Sequence, residues 1–241
     1  MRKKTELSII IPFYNEEGNI PLVLTELRKI TDIRDDIEII LINNGSVDNS
    51  KKIFFSELKK IDNKSFKVIN ISRNDGYGNG ILIGLSNATG NLLSWTHADM
   101  QTDPLDVLKA LELYRSSKEE KLIIKGKRRN RKLSERFFTF GMQIIVFLFL
   151  RSYLNDINAQ PKLFSKKFYN EYIKNKAPKD FSLDLYLLHQ AKLNKYKILE
   201  IPVYFKDRMH GEAKGGGSMK TSIKLIIRTL KYILERRKAI N

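Results

Sequence analysis

From Leu92 to Pro104 the chain reads Leu-Leu-Ser-Trp-Thr-His-Ala-Asp-Met-Gln-Thr-Asp-Pro: a short apolar run, a polar cluster, then the opening of a helical pattern. A cluster so placed lies where a buried strand ends, which is where open α/β sheets put their ligands. Asp99 and Gln101 are two residues apart, so in an extended tip their side chains share one side. Such a pair of oxygen donors suits a hard divalent cation, Mg2+ or Mn2+, that also holds substrate phosphates. The plainer reading of the same residues is an Asp-rich turn that caps the next helix.

The elements that must position this cluster follow from hydrophobic spacing. Buried strands are expected at Glu6–Pro12, Ile37–Ile42, Phe66–Ser72 and Leu92–Trp95, each a short apolar run closed by polar or turn-forming residues. Helical spacing is expected at Asn15–Ile30, Asp48–Ile61, in the segment that Asp75–Gly80 leads into as far as Ala88, at Leu105–Tyr114 and at Phe181–Leu193, with Ser182 as an N-cap. Later strands fall at Lys121–Gly126, Gln160–Phe164 and Ile198–Phe205, where Pro202 implies an edge or a bulge. Strands alternating with helices of this length imply βαβ units and a mainly parallel sheet. The polar residues after successive strands then gather along one sheet edge, making neighbours of Glu16, Asn43, Asn44, Asp48, Asp75 and Asp99.

The 241 residues are 42% hydrophobic and 29% charged, a globular balance with room for one sizeable core. There is no cysteine, which excludes disulfides, thiolate metal sites and cysteine nucleophiles. A net charge of +17 implies an anionic partner. The charge concentrates in two blocks, Lys121–Arg136 and Lys214–Lys238, each flanking or forming an apolar or amphipathic helix, as suits an anionic membrane surface. Phe137–Leu150 is almost wholly apolar, but as a helix its fourteen residues span about 21 Å against a hydrocarbon core of about 30 Å. It is therefore a core helix or one lying in the membrane interface. The N-terminal apolar run, cut at Pro12, is too short for a signal peptide, and the chain is expected to be cytoplasmic, peripheral on the inner membrane face.

Four ordered features go further: Pro12-Phe13-Tyr14-Asn15-Glu16, Asn43-Asn44-Gly45-Ser46-Val47-Asp48, the turn at Asp99 and Gln101, and the late Arg208…Gly211…Lys214 loop. Together they resemble the family 2 glycosyltransferases of the GT-A fold, and among them the polyprenyl-phosphate (dolichol-phosphate) mannosyl and glucosyl synthases. The resemblance runs from Leu7 to about Ser218. It implies an α/β, Rossmann-like three-layer sandwich with a mainly parallel central sheet. It implies a single domain over 1–241, with interface helices at about 133–154 and an amphipathic helix at about 219–238. By this resemblance Pro12, Tyr14, Glu16, Asn43, Asn44, Ser46, Asp75, His97 and Asp99 hold a GDP- or UDP-linked sugar, and Asp99 and Gln101 hold the metal. Arg208 and Lys214 lie near the diphosphate, and Arg128, Arg131 and Arg136 grip an acceptor phosphate. Many relatives carry C-terminal spanning helices not found in this sequence, which points to an integral membrane partner.

Several positions depart from the family pattern. His97 stands at the first Asp of the metal-binding Asp-x-Asp, where a neutral imidazole can hydrogen-bond the donor or ligate a softer metal. Asn43 and Asn44 replace a pair of acids, Ala213 replaces a serine, and Asn158–Lys162 differs from the usual Gly-Phe-Arg-type stretch. The implied reaction is inverting transfer to a polyprenyl phosphate, whose anionic oxygen needs no general base. Transfer to a sugar hydroxyl in polysaccharide or glycolipid assembly is the alternative and needs a base, for which Asp184 is the candidate. A non-catalytic nucleotide-binding role is a third reading. Nucleic-acid binding is disfavoured, because no recognition motif accompanies the positive charge.

Overall fold

The computed structural model describes residues 4–61, 64–130 and 133–211, with backbone alone over 133–138, and Ile227, Thr229 and Tyr232 beyond them. Among the described residues seven strands form one sheet: β1 Leu7–Phe13, β2 Ile37–Asn44, β3 Phe66–Ile71, β4 Leu92–Trp95, β5 Leu122–Arg129, β6 Lys162–Ser165 and β7 Lys197–Tyr204, in the order β3-β2-β1-β4-β6-β5-β7. β6 runs antiparallel to β4 and β5, and the remaining pairs are parallel. The chain moves outward from β1 to β3 and then returns to place β4 on the other side of β1. The sheet therefore changes direction between β1 and β4, and a crevice opens there at the strand ends.

The pleat explains the layers. In β1, Ile9 and Ile11 face α1 (Ile20–Ile33), α2 (Ser50–Lys59) and α4 (Asp106–Ser116), while Ile10 faces the layer of α3 (Tyr77–Ser86), α5 (Leu133–Leu150) and α7 (Leu183–Leu193). Both faces are covered, so these strands read as continuous apolar runs instead of alternating ones. α3 approaches β1 so closely at Gly84 that a Cβ there would stand 2.4 Å from Ile10 Cγ2. α1 begins five residues later than apolar spacing suggests, because Asn15 adopts the left-handed conformation and Pro21 fixes the first turn. Pro202 lies in β7, an edge strand, where its missing N–H costs no ladder bond. After β6 comes a turn the spacing does not reveal, α6 (Lys166–Phe168) continued by a π-helical turn, Tyr169–Ile173, that buries Phe168, Tyr169 and Ile173.

The structure shows α5 to be two-sided. Val146 is buried and Met142, Ile145, Phe149 and Leu150 pack on the core, whereas Phe140, Ile144, Phe147 and Leu148 are exposed along one stripe. Among the described residues no helix is long and apolar enough to cross a membrane. The expected C-terminal amphipathic helix lies outside the described residues except at Ile227, Thr229 and Tyr232, which are helical; Tyr232 meets the Tyr186 ring edge-on.

Candidate active site

The loops after β1 and β2 are stitched to each other at the crevice. Asn15 N–H donates to Ser46 Oγ at 3.1 Å, Val47 N–H to Asn15 Oδ1 at 2.9 Å, and Glu16 N–H to Ser50 Oγ at 2.8 Å. Asn43 Oδ1 accepts from Ser46 N–H at 3.0 Å while its amide donates to Asn70 Oδ1 at 3.1 Å. The Asn44 amide donates to the Gly76 carbonyl at 3.0 Å. Pro12 and Tyr14 sit half-buried at the end of β1. Glu16, Asn43, Asn44 and Ser46 thus come together as the sequence suggests. Asp75 lies between Asn74 and Gly76, which both accept from the Asn44 amide, and its own carboxylate is exposed, 3.6 Å from Arg73.

A buried charge cluster closes the crevice. Arg208 bridges Glu16 Oε1 at 3.0 Å and Asp99 Oδ2 at 2.9 Å, both carboxylates being less than a tenth exposed. Asn19 donates to the other Glu16 oxygen at 2.6 Å and to the His210 carbonyl at 3.3 Å. Burial alone would raise the Asp99 carboxyl; the His97 imidazole, the Arg208 guanidinium and the Gln101 N–H outweigh it and hold the group below its ordinary range. Glu16 and Asp99 are 83 positions apart and Arg208 follows 109 after Asp99, so the sheet topology alone brings them together.

The turn itself corrects the extended-tip argument. Met100 is in the left-handed conformation, and Gln101 N–H folds back onto Asp99 Oδ1 at 3.1 Å. The Gln101 side-chain amide donates to the Lys206 carbonyl at 3.3 Å, and Lys206 N–H returns a bond to the Gln101 carbonyl at 2.8 Å. Asp99 and Gln101 are neighbours, then, through a turn that ties down the 206–211 segment instead of through a strand's alternation.

Asp184 is almost fully buried. Its Oδ1 accepts from Lys162 Nζ at 2.9 Å and from Gln160 Nε2 at 2.9 Å. Gln160 Nε2 also donates to the Tyr77 hydroxyl at 3.3 Å, which lies 3.1 Å from His97 Nε2. His97 Nδ1 is in turn 3.8 Å from Asp99 Oδ2. Burial lowers the Lys162 ammonium, opposed by Asp184, and burial with Asp184 raises the Tyr77 phenol well above its ordinary value. Tyr77, Gln160 and Lys162 are absent from the sequence-derived site. The available signal was a charge inside an apolar strand, Lys162 before Leu163-Phe164, matched by Asp184 between Leu183 and Leu185.

Arg128 is already paired. Its Nε donates to Asp156 Oδ1 at 2.9 Å, its backbone N–H to Asp156 Oδ2 at 2.8 Å, and the guanidinium stacks on Phe205 at 5.1 Å. Burial would raise Asp156, but the Arg128 pairing outweighs it and holds the acid low. Arg131 and Lys214 lie outside the described residues, as does the Arg136 side chain.

Among the described residues no group of three His, Cys, Asp or Glu side chains could hold a divalent cation. The Asp99 carboxylate is ionised, and a guanidinium already sits on it, so the place accepts positive charge. The residues fit a cation held by one carboxylate and completed by substrate phosphates, not a protein cage.

The model of glycosyl transferase family 2 matches residues 8–177. The chain belongs to that family. Family 2 relatives include an undecaprenyl-phosphate 4-deoxy-4-formamido-L-arabinose transferase of Proteus mirabilis, 31% identical over 130 residues, covering 54% of this chain and 39% of the relative. A dolichyl-phosphate beta-glucosyltransferase of Trichomonas vaginalis is 26% identical over 91% of this chain and 72% of its own length. The chain thus spans well under half of the first relative and nearly three quarters of the second. In fold it resembles glucosyl-3-phosphoglycerate synthase of Mycobacterium tuberculosis, solved with Mn2+, UDP and glucosyl-3-phosphoglycerate, with a TM-score of 0.71 at 16% identity over 97% of this chain and 80% of the other. The family 2 chain therefore has the GT-A architecture, an α/β fold with a seven-stranded, mostly parallel sheet among its described residues.

Proposed function

We propose that this family 2 chain is an inverting glycosyltransferase. It moves a sugar from a nucleoside diphosphate donor to a polyprenyl-phosphate-type lipid at the cytoplasmic membrane face. The observation that carries this reading is the buried Glu16–Arg208–Asp99 cluster at the crevice between β1 and β4. Two carboxylates and a guanidinium, held where the sheet changes direction, are complementary to a cation–diphosphate pair. Glu16, Asn43, Asn44 and Ser46 line the nucleoside side, joined by Pro12 and Tyr14, while Asp99 holds Mg2+ or Mn2+. That cation, when bound, neutralises charge on the departing diphosphate. Arg208 offers forked N–H donors to the same leaving group, with Lys214 following in the same loop. The acceptor attacks from the opposite face.

The placement of Asp184 supports a phosphate acceptor over a hydroxyl. A general base must reach the proton it removes, and Asp184 spends its Oδ1 on Lys162 and Gln160 in the interior. A lipid phosphate needs no base. The relatives named for undecaprenyl- and dolichyl-phosphate support the same choice. The apolar stripe of α5, with exposed Arg129 before it and Arg151 after it, supports attachment to an anionic membrane surface.

The test is thermal unfolding of the full chain with UDP or GDP, each with and without Mn2+. Nucleotide at 100 times its dissociation constant adds about 2.7 kcal/mol, a rise of about 5–11 °C for a chain of this length. A metal-dependent rise with one nucleotide is expected and names the base. Absence of any rise with either nucleotide at millimolar concentration refutes the donor site.

A further inference from the structure

The segment after β7 crosses the crevice as a strap with one side chain turned inward. Of residues 206–211 only Arg208 is not exposed. One end is held at the turn after β4: Lys206 N–H donates to the Gln101 carbonyl at 2.8 Å, and Gln101 Nε2 donates to the Lys206 carbonyl at 3.3 Å. The other end is held where α1 begins. Asn19 Nδ2 donates to the His210 carbonyl at 3.3 Å, and the His210 side chain lies so close on Gly18 that a Cβ there would stand 2.8 Å from His210 Cγ. These anchors are neutral hydrogen bonds and packing, and charge holds the middle.

The bonds of Arg208 leave the guanidinium incompletely used. Nη1 meets Glu16 at 3.0 Å and Nη2 meets Asp99 at 2.9 Å, so neither carboxylate receives the parallel fork that makes arginine pairs strong. Nε is buried and donates to nothing among the described residues. The charges do not balance either: two carboxylates against one guanidinium leave the cluster negative. A divalent cation at Asp99 reverses that sign, and Arg208 then stands beside a like charge on the same carboxylate. The diphosphate of a nucleotide sugar brings both the negative charge and the acceptor oxygens that a planar fork matches.

We propose that Arg208 is a tethered stand-in for the divalent cation. With no donor bound it occupies the charged position between Glu16 and Asp99 and holds the 206–211 strap across the crevice. On donor binding it gives up the carboxylates to the cation and takes the diphosphate instead. Gly18, which makes room for the His210 side chain, sets how firmly the strap is seated. The exchange rests on the proposed donor site; the seated strap does not.

Two affinities of the full chain test the exchange: Mn2+ alone, read by electron paramagnetic resonance, and UDP or GDP at saturating Mn2+, read by calorimetry. Arg208→Met should bind Mn2+ alone about tenfold tighter than wild type and the nucleotide about tenfold weaker, each the size of one hydrogen bond to a charged group. A purely structural arginine gives no such opposition, since its loss weakens both. Gly18→Ala keeps every charge, pushes on His210, and guards against a variant that fails to fold. It should also bind Mn2+ alone more tightly, because an affinity is lowered by the fraction of chains whose site is closed, while binding nucleotide no more weakly than wild type. Mn2+ affinities equal to wild type in both variants, or both affinities weakened in Arg208→Met, overturn the stand-in role. A wild type that binds neither nucleotide refutes the donor site itself. Amide hydrogen exchange over 206–211 then still decides the strap: faster in Arg208→Met where the ion pairs seat it, unchanged where they do not.

Discussion

Arg208→Met removes a guanidinium held between two buried carboxylates and keeps most of the side chain's length. Breaking one side of a buried ion pair costs about 3–5 kcal/mol, because the partner's charge stays behind unpaired. Here two partners are left, but Arg208 itself is 15% exposed and water can reach the gap, so the lower end, about 3 kcal/mol, is the better figure. For a chain of this length that lowers the midpoint of thermal unfolding by about 6–12 °C. The decisive arm is Mn2+. With the guanidinium gone, Glu16 and Asp99 offer two oxygens to a cation, and Mn2+ at 100 times its dissociation constant restores about 2.7 kcal/mol. Calorimetry on the wild type and the variant, each with and without Mn2+, reads both effects. Stability equal to wild type shows the bridge contributes nothing. A loss that millimolar Mn2+ leaves untouched shows that the carboxylates do not make a cation-accepting site.

Three further outcomes are expected. Asn44→Asp, which restores the family's acid, should destabilise by about 1–3 kcal/mol in urea unfolding, since a carboxylate would face the Gly76 carbonyl and Asn74 Oδ1, both acceptors. Lys125 is pushed down to about 8, chiefly by burial and against the pull of Glu200, so the unfolded chain holds more protons than the folded one above that pH. Its contribution therefore improves as pH rises from about 8 to about 10.5, by roughly 3 kcal/mol in all, and Lys125→Met should remove that slope from the stability–pH curve; identical curves refute the assignment. Replacing Phe140, Phe147 and Leu148 by Ser should release the chain from anionic vesicles in flotation while its circular dichroism is unchanged; unaltered flotation refutes the stripe as the anchor.

What the sequence made legible follows from which interactions are periodic. Strands such as Ile37–Asn44 show as unbroken apolar runs because both sheet faces are covered, and helices such as α1 show through a single buried stripe. The strand-end polar groups were legible for the same reason, since parallel topology sends Glu16, Asn43, Asn44 and Asp99 to one edge. Element starts were less so: the left-handed Asn15 delays α1, and Ser182, at the N-cap position of α7, makes no capping bond, its backbone lying in the helical region (φ −75°, ψ −7°) instead of the extended one typical of a capping residue. Partners were least legible. No spacing rule announces that Arg128 meets Asp156, or that Asp184 meets Lys162, because Arg128 on β5 meets a loop residue and Lys162 on β6 a residue of α7, contacts set by tertiary packing and not by period.

The departures from the family pattern make sense together once their partners are known. Asn43 and Asn44 give up charge, yet each amide donates to an acceptor an acid could not satisfy, Asn70 Oδ1 in one case and the Gly76 carbonyl in the other. His97 gives up a carboxylate and gains, through Tyr77, a link to the interior ion pair of Asp184 and Lys162. With three acids gone from the crevice, one guanidinium neutralises half of the charge on the two carboxylates that it meets, Arg208 spanning Glu16 and Asp99. A crevice with less negative charge repels a diphosphate less and holds a bare cation more weakly. Cation and nucleotide should therefore enter as a pair, each supplying the charge the other lacks.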